Sequence, residues 1–145
     1  GEPGVFSVSL SVSNSAGTDT EVRDSYICVG NSLPPVVRDL RLASDLVTLS
    51  WSAVAGTIYH DVIRGDLDTL MDTGGDFGAA VEFCLADELA ATSVVDDTGP
   101  TAGEGFFYLV RAVACGGVQG SFDGDGSGQI ASRDASIAAS SAACP

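Results

Sequence analysis

Gly4-Val-Phe-Ser-Val-Ser-Leu-Ser-Val-Ser-Asn-Ser-Ala-Gly17 sets Phe6, Val8, Leu10 and Val12 in strict alternation with Ser7, Ser9, Ser11 and Ser13. Successive side chains of a strand point to opposite faces, so a period of two reads as one strand with an apolar face and a hydroxyl face. The Asn/Ser/Gly cluster at its end is a hairpin turn. Thr18 to Cys28 is the returning strand, with Val22, Tyr26 and Cys28 on one parity. A two-stranded hairpin is only marginally stable alone in water. The apolar row from Phe6 to Val12 is therefore expected to be covered, either by the rest of this chain or by another chain.

The spacing of Gly4, Phe6, Val8, Leu10, Val12, Asn14 and Gly17 resembles the last two strands of a PKD domain. After it, Gly30-Asn-Ser-Leu-Pro-Pro35 carries two prolines that remove backbone donors and stiffen the chain, which marks a domain boundary. From Val36 onward, short strands alternate with turns. Val37 to Leu42, Val47-Thr-Leu-Ser-Trp51, the Gly56 turn and Tyr59-His-Asp-Val-Ile-Arg64 resemble strands A, B and C of a fibronectin type III domain. Ala91 to Asp97 is similar to strand E, and Gly105 to Val113, with Tyr108, Val110 and Ala112, to strand F. The resemblance spans roughly residues 34–135. It implies an all-β protein: an immunoglobulin-like, fibronectin type III-like β-sandwich preceded by a β-hairpin from a PKD-like sheet. The expected division is 1–29 for the hairpin, 30–35 for the linker and 36–145 for the sandwich with its tail.

Physically, Trp51 is the large ring a two-sheet core packs around, with Tyr108, Val110 and Ala112 as the facing row. The segment from Asp66 to Ala90 departs from the family. Asp68 to Asp72 reads as a helical turn ended by Gly74-Gly75, and Ala80 to Cys84 as a short edge strand. This insert is similar to modules of large secreted bacterial proteins, which implies an extracellular or cell-surface location.

Composition bounds the partners. The net charge is −14, and all six basic residues are arginines. Such a surface repels nucleic acid and anionic membranes. No apolar run reaches the roughly 18 to 20 residues of a membrane-spanning helix, and no basic n-region precedes an apolar core, so an export signal is expected to lie upstream or to have been removed. Cys28, Cys84, Cys115 and Cys144 are an even count without a close pair, which reads as two disulfides in an oxidising compartment rather than zinc ligands. The sandwich topology implied by the resemblance brings Cys84 to the pole where strand F ends at Cys115, leaving Cys28 for Cys144. A Cys115–Cys144 bridge is the rival.

For chemistry, Asp123-Gly-Asp-Gly-Ser-Gly-Gln-Ile130 with Asp134 resembles a calcium loop of EF-hand type. Asp123, Asp125, Ser127, the Gln129 carbonyl and Asp134 would converge on one hard cation. The competing reading is a plain turn between strands F and G. His60 is the only histidine and sits in a strand pattern as a half-exposed sheet residue, with no Gly-x-Ser-x-Gly elbow to make it part of a triad. Asp96 and Asp97 are strand neighbours pointing to opposite faces, suited to turns and caps. No catalytic constellation is found. The expected function is that of a non-catalytic structural or adhesion module acting through protein–protein contact. Its partners would be copies of itself or neighbouring extracellular domains, with the strand holding Phe6, Val8, Leu10 and Val12 completing a neighbour's sheet and, by repetition, building a filament. The alternative is an accessory spacer or polysaccharide-binding module at the end of a large secreted hydrolase or adhesin, with Phe77, Phe83, Phe106 and Phe122 as the spare aromatics. A calcium-dependent adhesion domain is a third reading.

Overall fold

The computed structural model describes residues 4–29, 32–124, 126–129 and 131–145. The opening alternation forms β1 (Gly4–Asn14), paired antiparallel with β2 (Gly17–Val29). The Asn14 side chain closes the turn by accepting the backbone N–H groups of Ala16 and Gly17 at 2.8 and 3.2 Å. Gly17 there takes φ +151°, which suits a residue without Cβ.

The remaining strands form two antiparallel sheets. One is β3 (Arg41–Leu42), β4 (Thr48–Ser50) and β7 (Ser93–Val95), in that order. The other runs β6 (Val81–Leu89), β5 (Thr57–Asp66), β8 (Phe106–Ala114), β9 (Val118–Gln119). Between them lies a core of Leu49, Trp51, Val62 and Val110, against which Val37, Leu40, Val94 and Tyr108 pack. Trp51 is 6 % exposed, as expected of the ring around which the two sheets close. The protein is thus an all-β sandwich. Within the two segments expected to be strands from the resemblance, Ala91 to Asp97 and Gly105 to Val113, lie β7 and nearly all of β8. Of the first predicted strand of the sandwich, only Arg41–Leu42 pairs.

The sandwich has a third layer. α1 (Leu67–Asp72) follows β5, with the Asp66 side chain accepting from the N–H of Thr69 as its cap. Gly74 and Gly75, at φ +70° and +100°, end the turn. α2 (Phe77–Ala80) leads into β6, and α3 (Asp134–Ala138) folds back against it. Gly78 makes that approach possible, since a Cβ there would lie 2.5 Å from the Ser136 carbonyl oxygen. Ile63, Val81, Phe122, Ile137 and Cys144 form a second core on this outer face. β5 is consequently covered on both faces, and every residue from His60 to Gly65 is buried. That explains the unbroken apolar character of Val62-Ile63, where a half-exposed strand would alternate.

Two expectations are corrected. The disulfides join Cys28 to Cys115 and Cys84 to Cys144, with Cα separations of 5.6 and 4.8 Å. Neither the Cys84–Cys115 nor the Cys115–Cys144 pairing occurs. Cys84 lies on edge strand β6 opposite Ile63, whereas Cys115 follows Ala114, which is opposite Thr57. β5 intervenes, and six residues of it, about 20 Å, separate the two levels. Bridgeable cysteines need Cα atoms within about 7 Å. The Asp/Gly loop, in turn, does not join two strands: it follows β9 and leads into α3.

Candidate functional site

The hairpin stands apart from the sandwich. Phe6, Leu10 and Val12 are 45, 64 and 60 % exposed, and Val8 is partly covered. No other described strand pairs with β1 or β2, so both outer edges of the ribbon present unbonded backbone groups. Its base is fastened by Cys28–Cys115, where β2 meets the single turn (Cys115–Gly117) after β8. Pro34 then re-enters the body, packing against Gly120.

Pairing gives the two faces a character that β1 alone does not display. Val8, Leu10 and Val12 lie opposite Arg23, Glu21 and Asp19, while Phe6 lies opposite Ile27. Residues directly opposite in an antiparallel pair share a face, so the apolar row of β1 runs beside a charged row of β2. Arg23 pairs with Glu21 at 2.9 Å along that row. On the other face, Ser11 and Thr20 hydroxyls are 2.8 Å apart and those of Ser13 and Thr18 2.9 Å. A two-residue irregularity in β2 between Arg23 and Ile27 realigns the strands, and Ser7 reaches Asp24 there.

Inside the sandwich the buried carboxylates and arginines are tied up. Arg64 lies between the rings of Phe83 and Phe106, at 4.3 and 3.9 Å, and donates to Glu82 and Asp96 at 3.0 Å each. Asp96 also accepts from the Tyr108 hydroxyl at 3.0 Å and from the Thr98 N–H. Burial works to raise the Asp96 pKa, but the Thr98, Arg64 and Tyr108 donors outweigh it and hold the carboxyl below its ordinary value. Burial and the facing Asp96 push Tyr108 up to about 12. Asp97 is exposed, on the opposite side as its position requires. On the outer face, Asp61 binds Arg111 at 2.8 Å and accepts the N–H of Glu88, a residue at φ 48°.

His60 is 4 % exposed and packs edge-on against Trp51 with ring centroids 5.3 Å apart. It is a core residue, not the half-exposed one its strand pattern suggested, because β6 and β8 flank it and Trp51 caps it. Burial holds its pKa below 6.5, and protonation favours the unfolded chain. The contribution of this group to stability is whole above pH 6.5 and is lost as pH falls through the folded-state pKa. Thermal melts at pH 7.5 and 5.5 are expected to show a loss that is smaller in His60→Leu; equal losses in both chains would contradict this.

The Asp/Gly loop is organised around Arg133. Asp123 accepts the Arg133 N–H at 2.7 Å and lies 3.6 Å from its guanidinium, while the Gln129 side-chain oxygen accepts from Arg133 Nη2 at 2.6 Å and from the Gly124 N–H at 2.7 Å. Asp134 turns back to the Ser121 hydroxyl and the Phe122 N–H. Ser127 is exposed, and Asp125 lies outside the described residues. Protein donors thus occupy the carboxylates of Asp123 and Asp134. Among the described residues, the one grouping of possible metal ligands is Cys84, Asp87 and Cys144, whose two sulfurs are already joined.

The spare aromatics are engaged too. Phe83 and Phe106 hold Arg64, Phe77 meets Phe107 edge to face at 5.5 Å, and Phe122 is buried beneath Arg111. Sequence reasoning located the hairpin from its alternation. It missed the Arg64 cluster, whose members are 32 and 18 residues apart from Arg64 and carry no local signature. None of the described helices is long and apolar enough to cross a membrane. No protein family, curated protein or solved structure matches this chain.

Proposed function

We propose that this chain is a non-catalytic extracellular structural or adhesion module that acts through protein–protein contact, with the disulfide-anchored hairpin as its docking element. The observation that carries the reading is a two-stranded ribbon with both edges unpaired and Phe6, Leu10 and Val12 exposed, its base fastened to the sandwich by one disulfide. Open strand edges pair with other strands by main-chain hydrogen bonds, and alternate side chains supply the selectivity. Two disulfides fit an oxidising compartment.

The resemblance to a fibronectin type III domain is part of this proposal. The segments similar to strands A, B and E share one sheet, and those similar to C and F share the other with edge strand β6. Domains of that kind serve as spacers and contact modules, which agrees with a core whose buried carboxylates, Asp61 and Asp96, are each paired with an arginine rather than gathered in a cleft.

The test compares the full chain with one lacking residues 4–29 and carrying Cys115→Ser, each labelled and applied to the cells that produce it. The shortened chain is expected to keep the melting temperature of the sandwich and lose surface binding. Undiminished binding would overturn the reading.

A further inference from the structure

We infer that the partner of β1 is β1 of a second copy of this chain, and that the assembly closes at two rather than extending into a filament. This rests on the reading of the hairpin as a docking element, and it follows from the difference between the ribbon's two edges.

From Val5 to Asn14, β1 carries no charged side chain. Its edge lacks the charges that natural proteins use to discourage strand pairing. β2 carries Asp19, Glu21, Arg23 and Asp24, and its one arginine is already paired with Glu21. Setting β2 against another β2 aligns acid with acid, on a chain whose net charge is −14. Setting β1 against β2 of a neighbour, as a filament requires, places Val8, Leu10 and Val12 beside charges once more.

The alternation of β1 is, by contrast, a palindrome about Ser9. In an antiparallel pairing of two copies centred there, Phe6 faces Val12 of the second copy and Val8 faces its Leu10, and the reverse pairs follow by symmetry. Ser7 faces Ser11, and Ser9 faces Ser9. Even-numbered positions thus meet only even-numbered positions, so both apolar rows fall on one face and the hydroxyl rows on the other. A sheet ordered β2-β1-β1-β2 results, with charged strands at both outer edges. This is a self-complementary interface with a two-fold axis, which closes on itself. The two sandwiches sit at opposite ends of a ribbon about 35 Å long.

Sedimentation velocity across a concentration series tests this on the full chain. Ser9 is exposed and lies opposite exposed Val22, so substitution there leaves the fold in place, which the melting temperature checks. The wild-type chain is expected to show a monomer–dimer equilibrium. Ser9→Lys sets like charges across the axis and is expected to weaken the dimer at least tenfold, as is Ser9→Asp. Mixing the two variants restores it, because opposite charges then face each other. A chain that stays monomeric at every concentration overturns the self-pairing while leaving the docking role to the cell-binding comparison above. Species larger than a dimer that grow with concentration, or a dimer indifferent to both Ser9 substitutions, overturn the closed β1–β1 arrangement.

Discussion

Replacing Cys84 and Cys144 together by serine is expected to lower stability by about 4 kcal/mol, the chain-entropy value for a bridge spanning 60 residues. For a chain of this size that corresponds to a drop in melting temperature of roughly 10–15 °C, read by differential scanning calorimetry. The size of the effect follows from where the bridge lies. It fastens the C-terminal tail across the outer face of the β6-β5-β8-β9 sheet, and with the tail go the groups that keep Ile63, Val81 and Phe122 from water. The double substitution is preferred to a single one, which would leave a free thiol. A change below about 1 kcal/mol would mean that the tail holds its place without the bridge and that the third layer is packed more tightly than its small residues suggest.

The second large effect is expected at Arg64. Arg64→Ala leaves Asp96, 5 % exposed, and the partly covered Glu82 without their guanidinium, and removes the cation from between Phe83 and Phe106. Breaking a buried pair by deleting one partner costs about 3–5 kcal/mol, because the remaining charge stays desolvated. Arg64→Ala with Asp96→Ala in the same chain is expected to recover part of that loss, and a double-mutant cycle in urea measures it. Full additivity would show that the two groups do not act together. The same cluster sets an acid limit. The Asp96 carboxyl lies below its ordinary range, so its contribution is present above about pH 4 and is lost as pH falls through the folded-state pKa.

These two sites show which parts of the structure a sequence can display. The hairpin was legible because β1 alternates without exception and ends in a turn whose Asn and Gly have defined tasks. The sandwich core was legible for the same reason: Leu49, Trp51, Val62, Val94 and Val110 lie in short apolar patterns bounded by turns. The third layer was hidden. Its contributors Phe77, Phe122, Ile137 and Cys144 are single residues in Gly- and Ser-rich segments, and no period connects them. The disulfide pairing was hidden with it, since the position of Cys144 depends on how the tail crosses the sheet. His60 was misjudged because its strand resembled one with a solvent face, whereas its ring lies on the inner face of β5 against Trp51, between β6 and β8. In the Asp/Gly loop the spacing of carboxylates resembled a calcium loop beside the plain-turn reading, and it could not display that Arg133 lies against Asp123 and Gln129. The apolar face of β1 was also read too simply, because its character depends on the charged residues that β2 brings alongside.

Amide hydrogen exchange on dilute, monomeric protein tests the central claim most directly. If the hairpin is a docking element separate from the sandwich, every second amide of β1, those facing away from β2, exchanges at close to the unprotected rate while the amides of β5 remain protected for far longer. If those β1 amides are as slow as β5 in the monomer, the ribbon is already paired with its own body, and it has no open edge to offer a partner.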